Sequence, residues 1–415
     1  MSLTATNFDP AGRSPEPSRA SRLGLDWFVF FLADVQTGFG AFVSVYLTAQ
    51  NWPQADIGLV LTIGALTALL GQIPGGAIVD AARSTRWTAA LAVVAVAVSA
   101  FALAAWPVFT IVIVSRLVQA GASCVLGPAI AAISLGLVGH DKISERLGRN
   151  GAFASAGSGF AAASMGAFGF YLSSRWVFLV AAAMALPALI ALYQVRSREI
   201  DPHRAHGGVA KPDQRTGIAG LRTLITNRPL LTFALCVVLF QLANAAMLPL
   251  AAGIMTLRSA RSATILVAIS IVAPQLLVTF LSPWVGRTAH RWGRKPLLVL
   301  CFGALTVRAA LFAIVTDPHL IVSVQLLDGI SAAVLGVLVP LTVADVSRGT
   351  GHFNLGQGVI GCAVGIGASI STTLAGFVSD RFGASTAFAM MASIAAIGFA
   401  TVWFKMPETR PPANC

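Results

Sequence analysis

The sequence predicts an all-α membrane protein, with twelve transmembrane helices arranged as two pseudo-symmetric six-helix bundles. Three observations carry that prediction. The composition is 56% hydrophobic and only 11% charged over 415 residues, whereas a soluble domain carries about 45–50% and about 25%. Twelve apolar runs approach the ~20 residues that cross a ~30 Å hydrocarbon core. The first six runs are repeated by the second six. Lipid must therefore solvate most of the chain, which excludes a cytosolic enzyme, a secreted domain and a disordered chain.

Residues 1–21 are rich in Ser, Pro, Ala and Arg, lack an apolar core, and read as a disordered cytoplasmic arm rather than a signal peptide. The first bundle, 22–195, holds runs at 25–48, 57–79, 87–105, 108–138, 148–172 and 176–195. The segment 196–228 has the Gly, Pro and charge of a flexible polar linker. The second bundle, 229–404, holds runs at 230–253, 262–285, 297–315, 320–344, 356–378 and 384–404, before a cytoplasmic tail at 405–415. Pro, Gly or charge clusters break the runs, with Trp106 and Pro107 dividing spans 3 and 4. Alternating runs of strand length are absent, which excludes a β-barrel.

Of the 28 Lys and Arg, 22 fall on the side of the two termini, four on the other side and two, Arg116 and Arg308, inside spans. The positive-inside rule then places both termini in the cytoplasm of a multi-pass inner-membrane protein. The formal net charge of +12 suits an anionic leaflet and requires no nucleic acid. Five widely spaced Cys form no disulfide framework, and four of them sit in apolar runs as small hydrophobes. All six His fall in loops. His203 and His206 could share a ligand face, but a solvated loop accounts for them, and no metal or cofactor is expected.

The repeat is specific. The stretch from Arg116 to Gly127 matches that from Gln325 to Gly336 at an offset of 209. Gly148, Gly157 and Gly159 match Gly356, Gly365 and Gly367 at an offset of 208, and Gly76 and Asp80 match Gly286 and His290 at 210. Internal repeats of this kind build secondary transporters, whose substrate site lies near the midplane between halves.

Loop motifs bring a family into view. Gly286-Arg-Thr-Ala-His290-Arg291-Trp-Gly293-Arg294-Lys295 and Gly76-Ala-Ile-Val-Asp80 make the chain, over all twelve spans, similar to the major facilitator superfamily and its proton-coupled drug or metabolite exporters. In the first copy Ala81 and Arg83 replace the usual basic residue and Gly, leaving Arg83 and Arg86 as cations; in the second, His290 replaces the acid. The resemblance implies that these loops latch the cytoplasmic ends of the two halves, whereas a bare reading makes them solvated turns. Arg116, followed by Gln119, Ala120 and Gly121, resembles the family's span-4 Arg motif, which the resemblance links to proton movement. Span 5 resembles the exporter signature through Gly148 and Gly157, but Ala161-Ala162 stands in place of Gly-Pro and Met165-Gly166 in place of Gly-Gly.

Four ionisable residues lie deep in apolar sequence, where charge is a functional signal. At 1.5 Å per residue, Asp34 lies roughly 14 Å from the cytoplasmic end of span 1 and Arg116 roughly 12 Å from the outer end of span 4. The family places spans 1, 4, 7 and 10 around the cavity, so Asp34 and Arg116 are expected to face each other there. Asp34 would accept a proton or cation while Arg116 tunes it; the bland alternative is a permanent ion pair. Arg308 and Asp328 lie about 10 and about 12 Å from the outer ends of spans 9 and 10, which suggests a structural ion pair. Asp328 stays open as a coupling group, because its repeat counterpart is Gln119. Asp26 resembles an acidic position near the start of span 1 in some multidrug exporters, but reads most simply as helix N-terminal stabilisation. Gln36, Thr37, Gln119, Gln241, Asn244 and Gln325 are candidate polar groups of the substrate cavity.

The resulting expectation is a monomeric secondary transporter that moves a small organic molecule across the bilayer by alternating access, coupled to protons and working as an exporter. No Gly-rich loop followed by Lys-Ser/Thr is present to bind ATP, and no enzyme constellation lies in the spans. Proton-coupled uptake of an organic anion, or a non-transporting receptor on the same fold, remain the alternatives.

Overall fold

A backbone immersed in lipid has no water to bond, so each crossing segment must satisfy its own amides as a helix. The computed structural model describes residues 17–37, 42–208, 226–258 and 263–410, and among these the regular elements are helices, with no strand. Span 1 comprises α1 (Arg19–Thr37) and α2 (Phe42–Ala49); α3 (Gln54–Ala81) and α4 (Thr85–Ala105) are spans 2 and 3. Spans 4 and 5 share α5 (Phe109–Tyr171), a 63-residue helix interrupted by Gly139 at φ 69° and ψ 179°, a conformation open to glycine. Then come α6 (Ser174–Gln194) and a short α7 (Pro202–Ala205) in the linker.

The second half supplies α8 (Arg228–Asn244) and α9 (Met247–Arg258) for span 7, α10 (Ala263–Trp292), α11 (Lys295–Ile314), α12 (Pro318–Val346), α13 (Phe353–Phe382) and α14 (Ala384–Lys405). Ten helices among the described residues are long and apolar enough to cross a membrane. With α5 holding two spans, and α1 and α2 supplying the first, this is consistent with twelve crossings. Span 7 is broken at Ala245 and Ala246. The freed N–H of Ala246 donates to Ser371 Oγ of α13 at 3.2 Å, so the break is bonded inside the bundle rather than exposed to lipid.

Buried apolar side chains form two cores. One draws on the first half, from Leu25 to Val195, joined by Ile200 and Ala205 of the linker. The other belongs to the second half, joined by Ala131, Leu135, Ile143 and Leu147 of α5. The halves meet where α3 crosses α13 and α5 crosses α10. At the face that carries the termini, called here the basic face, both crossings bring backbone against backbone. A Cβ on Gly76 would overlap the Asn354 carbonyl, one on Gly286 would overlap that of Ser144, and one on Gly148 would lie 2.5 Å from that of Ser282. Farther along, Gly365 still abuts Leu69 at 2.8 Å, whereas Gly58, Gly159 and Gly376 have no other helix within 4 Å. The halves are therefore pressed together at the basic face.

The start of the linker departs from the flexible segment expected. Asp201 caps α7 by accepting from His203 N at 2.9 Å and Arg204 N at 3.3 Å. The Asp201 N–H donates to the Gly136 carbonyl of α5 at 3.1 Å, and Gly349 N donates to the Gly207 carbonyl at 2.6 Å. Asn354 Nδ2 reaches the Ala205 carbonyl at 3.3 Å. Residues 197–208 thus dock under both halves, because this stretch can satisfy its polar backbone there. The end of the N-terminal arm is likewise held: Ser18 N and Oγ donate to Glu199 Oε2 at 2.9 and 3.0 Å, and helix begins at Arg19. The expected disordered residues 1–16 lie outside the described residues.

Candidate functional site

A cavity of about 450 Å³ lies between the halves, bounded by α1, α3, α5, α10, α12 and α13. Its wall is mostly apolar, with Val29, Ile130, Val278 and Val339 among the lining residues. Gly127 and Gly336, the repeat-matched ends of the two longest similar stretches, both reach it, as do Pro128 and Pro340. Neither glycine has another helix within 4 Å of where a Cβ would stand, so the repeat leaves open space at equivalent places in the two halves.

Among the described residues, the polar groups of this wall are Gln72, Asn150, Ser155, Gln275, Ser282 and Gln357, and none of them is ionisable. Gln357 Nε2 and Ser282 Oγ are buried without a hydrogen-bond partner among the described residues. Such groups are uncommon, because an unmet buried donor costs about 1–3 kcal/mol. Asn150 is held from behind. Its Oδ1 accepts from Arg146 Nε at 2.8 Å and its Nδ2 donates to Ser134 Oγ at 2.8 Å.

The chain of contacts continues to Asp26, which is fully buried. Arg146 Nη2 lies 2.6 Å from Asp26 Oδ1, and Arg149 Nη2 lies 2.5 Å from Oδ2. Helix N-terminal stabilisation is therefore not the role of Asp26. Because α1 begins at Arg19, Asp26 lies beyond the first turn and instead ties span 1 to the start of span 5.

Of the expected cavity residues with described side chains, Gln36, Arg116, Gln119, Gln241, Asn244, Gln325 and Asp328 are not part of this wall. Asp34 and Thr37 fall in the last turn of α1, with side chains outside the described residues, and Gln36 beside them is half-buried. Arg116 is buried and donates Nη1 to Gln119 Oε1 at 2.8 Å, while Gln119 Nε2 donates to Ser123 Oγ at 3.1 Å. A Cβ on Gly64 of α3 would stand 2.5 Å from Arg116 Nη2, so this guanidinium occupies the α3–α5 seam. Gln241 packs against Gly367 of α13.

Arg308 and Asp328, matched in depth by sequence, meet as an ion pair. Arg308 is 1% exposed, whereas the Asp328 side chain is 26% exposed. Arg308 Nη2 also donates to Asn244 Oδ1 and lies 3.2 Å from Met247 Sδ. Gln325 Nε2 is 3.4 Å from Asp328 Oδ2. The pair thus grips the two residues that flank the break in span 7.

At the basic face the two latch loops differ. Asp80 accepts from Asn354 N at 3.3 Å, Asn354 Nδ2 at 2.8 Å and Leu355 N at 2.8 Å, capping α13 from the other half, and His206 Nδ1 lies 3.6 Å away. Arg83 is exposed. Arg86 donates Nη1 to the Val195 carbonyl at 2.7 Å and covers the Tyr193 ring, so it braces span 6. In the second copy His290 and Arg291 are exposed. Arg294 Nε pairs with Asp345 Oδ2 of α12 at 2.8 Å, and its Nη1 donates to the Ala289 carbonyl at 2.8 Å. Gly293 abuts Glu408, which accepts from the N–H groups of Arg294 and Lys295 at 2.9 and 3.1 Å.

The Major Facilitator Superfamily model matches residues 27–307 and 259–414. Two proteins described as uncharacterized MFS-type transporters, from Mycobacterium tuberculosis strains CDC 1551 / Oshkosh and ATCC 25618 / H37Rv, are each 38% identical over 395 residues, covering 95% of this chain and 94% of theirs. Among solved structures, the MFS transporter FucP in its outward conformation superposes with a TM-score of 0.76 at 17% identity, covering 93% of this chain and 99% of that one. The human organic anion transporter MFSD10 (TETRAN) gives a TM-score of 0.69 at 16% identity, covering 93% of this chain and 100% of that one. At these identities the structures share the fold alone. Family match, relatives and fold agree with the repeat and the motifs: the chain is a multi-pass membrane protein with a transporter fold, and it belongs to the Major Facilitator Superfamily.

Proposed function

We propose that the protein exports a small neutral or amphipathic organic molecule in exchange for protons, by rocking its two bundles, 22–195 and 229–404, about the cavity between them. The observation that carries this reading is the wall of that cavity: apolar, dotted with amides and hydroxyls, and, among the described residues, free of ionisable side chains. A permanently charged substrate would be desolvated there without a counter-ion, which is costly. A molecule with one or two acceptor groups would satisfy Gln357 Nε2 and Ser282 Oγ. Uptake of an organic anion is disfavoured by the same wall, since Arg116 is packed into the α3–α5 seam.

The proton belongs on Asp328 in this scheme, with Asp34 and Arg116 as the corresponding couple in the first half. Protonation removes the counter-charge that holds Arg308 against Asn244 and Met247 and frees α9 to move relative to α8. Gln36, Thr37, Gln119, Gln241 and Gln325 line the path in other states. Gly76, Asp80 and Gly286 hold the basic face shut, and the cation excess makes that face cytoplasmic in an inner membrane.

Everted membrane vesicles, acidified inside and offered a panel of neutral fluorescent dyes, test the proposal. The expected result is protonophore-sensitive accumulation of at least one dye, lost in Asp328→Asn while counterflow of the same dye persists. Wild-type, pH-driven flux in Asp328→Asn would remove that residue from coupling. Accumulation only in right-side-out vesicles would identify uptake, and dye binding without flux would identify a receptor.

A further inference from the structure

Outside the central cavity, a second hollow of about 290 Å³ lies at the seam between the halves, lined by Trp27 and Phe30 of α1, Ala152, Phe153 and Ala156 of α5, and Thr279 of α10. It is almost wholly apolar and aromatic. Trp27 packs edge-on to Phe30 and to Phe153, with ring centroids 5.4 and 6.0 Å apart, and Trp27 is exposed. An aromatic hollow at the surface of a membrane helix bundle is wetted by acyl chains rather than by water. Trp27 lies only about 12 Å along α1 from its start at Arg19, near headgroup depth on the basic face.

The charge at its rim selects among lipids. Arg149 lies 5.6 Å above the Phe153 ring, and its side chain is 51% exposed although it chelates Asp26. Asp26 is shared with Arg146, and the exposed Arg22 stands one turn before it on α1. With the exposed Glu145 one turn before Arg149 on α5, three guanidiniums stand against two carboxylates, which leaves a local excess of positive charge over an apolar slot. Basic pockets between membrane helices that open beside acyl chains fit phosphate-bearing headgroups.

We infer that this hollow binds an anionic phospholipid of the basic-face leaflet, its phosphate on Arg149 and Arg22 and one acyl chain along Trp27, Phe153 and Thr279. Because α1 and α5 belong to one half and α10 to the other, the bound chain bridges the closed seam and favours the conformation in which Gly148 and Gly286 touch.

The full-length protein in lipid nanodiscs provides the test, with quenching of tryptophan fluorescence by brominated phosphatidylglycerol or brominated phosphatidylcholine as readout. Subtracting the signal of Trp27→Phe isolates the Trp27 contribution. Phosphatidylglycerol is expected to quench it at lower mole fraction, by about fivefold for each cation engaged. Arg149→Gln should cut that preference about fivefold, and Arg22→Gln added to it should abolish what is left. Ala156→Leu, which fills the slot without touching the ion pairs, should abolish quenching of Trp27 by either lipid. Inorganic phosphate should not compete. Equal quenching by both lipids in the wild type, a preference undiminished in Arg149→Gln, or displacement by inorganic phosphate would overturn the assignment.

Discussion

The loop that follows α3 and the loop that follows α10 occupy equivalent places in the repeat, yet they hold different things together. The first sends its acid across the molecule: Asp80 caps the N-terminus of α13 in the opposite half. The second keeps its cation at home, with Arg294 tied to Asp345 of α12 and to the carbonyl of Ala289. What the halves share is the backbone approach beside each loop, Gly76 against Asn354 and Gly286 against Ser144. Pseudo-symmetry is thus kept in the packing and abandoned in the charges. Among the described residues, the basic face is closed by backbone contacts at both crossings and by the Asp80 carboxylate at one of them, while the second loop stabilises a single bundle.

The largest effect that can break this contrast is on Arg294. Both partners of the Arg294–Asp345 pair are buried, and stranding one partner of a buried pair costs about 3–5 kcal/mol. Arg294→Gln should therefore lower the melting temperature of the detergent-solubilised protein severely. The distance between spin labels on the basic-face ends of α3 and α13 should stay as in the wild type in the fraction that remains folded. A wider gate at unchanged melting temperature would mean that the second loop is a latch after all.

Next in size are the glycines, where the two halves should behave alike. A side chain at Gly76 or Gly286 must displace a backbone carbonyl of the opposing half, and overpacking typically costs about 1–3 kcal/mol. Gly76→Val and Gly286→Val should each open the basic face, seen as a longer label-to-label distance across α3–α13 or α5–α10, and each should slow transport of whichever dye the vesicle assay identifies. Opening by one valine and not by the other would show that the packing, too, is asymmetric.

Charge supplies the third test. Losing a side-chain cap costs about 1 kcal/mol, so Asp80→Ala should shift the ratio of open to closed molecules by about fivefold. His290→Ala, at the matching but exposed position, should leave that ratio unchanged. Equal responses from the two would erase the distinction between the loops.

These features were not equally legible in the sequence. Lipid forces each crossing to be a long apolar run, so the spans and the repeat could be read directly, and depth along consecutive helices was enough to bring Arg308 to Asp328. The direction in which a side chain points was not legible. In water an apolar stripe marks the inner face of a helix, but helices in lipid are apolar all round, so nothing in α3, α10 or α13 singles out the faces carrying Gln72, Gln275 and Gln357. The signal available was in small residues: Gly127 and Gly336, paired by the repeat, both open onto the cavity. The docked start of the linker also left a trace, since Asp201 followed by Pro202 is a helix start inside a segment whose composition reads as loose. The contact between Asp80 and α13 joins positions 274 residues apart, and only the fold brings them together.

The smallest predicted effect extends the comparison to the carboxylates that arrive from outside each bundle. Glu408 accepts the first amides of α11, and Glu199 accepts the N–H and hydroxyl of Ser18 at the start of α1. Burial pushes the Glu199 carboxyl up, but the Ser18 N–H, the hydroxyls of Ser21 and Ser18, and the neighbouring Arg196 outweigh it and hold the group below the usual glutamate range. A depressed folded value means that the contact stabilises fully above the unfolded value of about 4.3 and is lost as pH falls through the folded one. A spin label at the exposed Ala20 should therefore be immobilised at neutral pH and loosen only below about pH 4, whereas in Glu199→Gln it should be mobile at both. Mobility that ignores pH in the wild type would show that α1 starts where it does without Glu199, leaving Glu408 as the helix-capping carboxylate supplied from beyond a bundle.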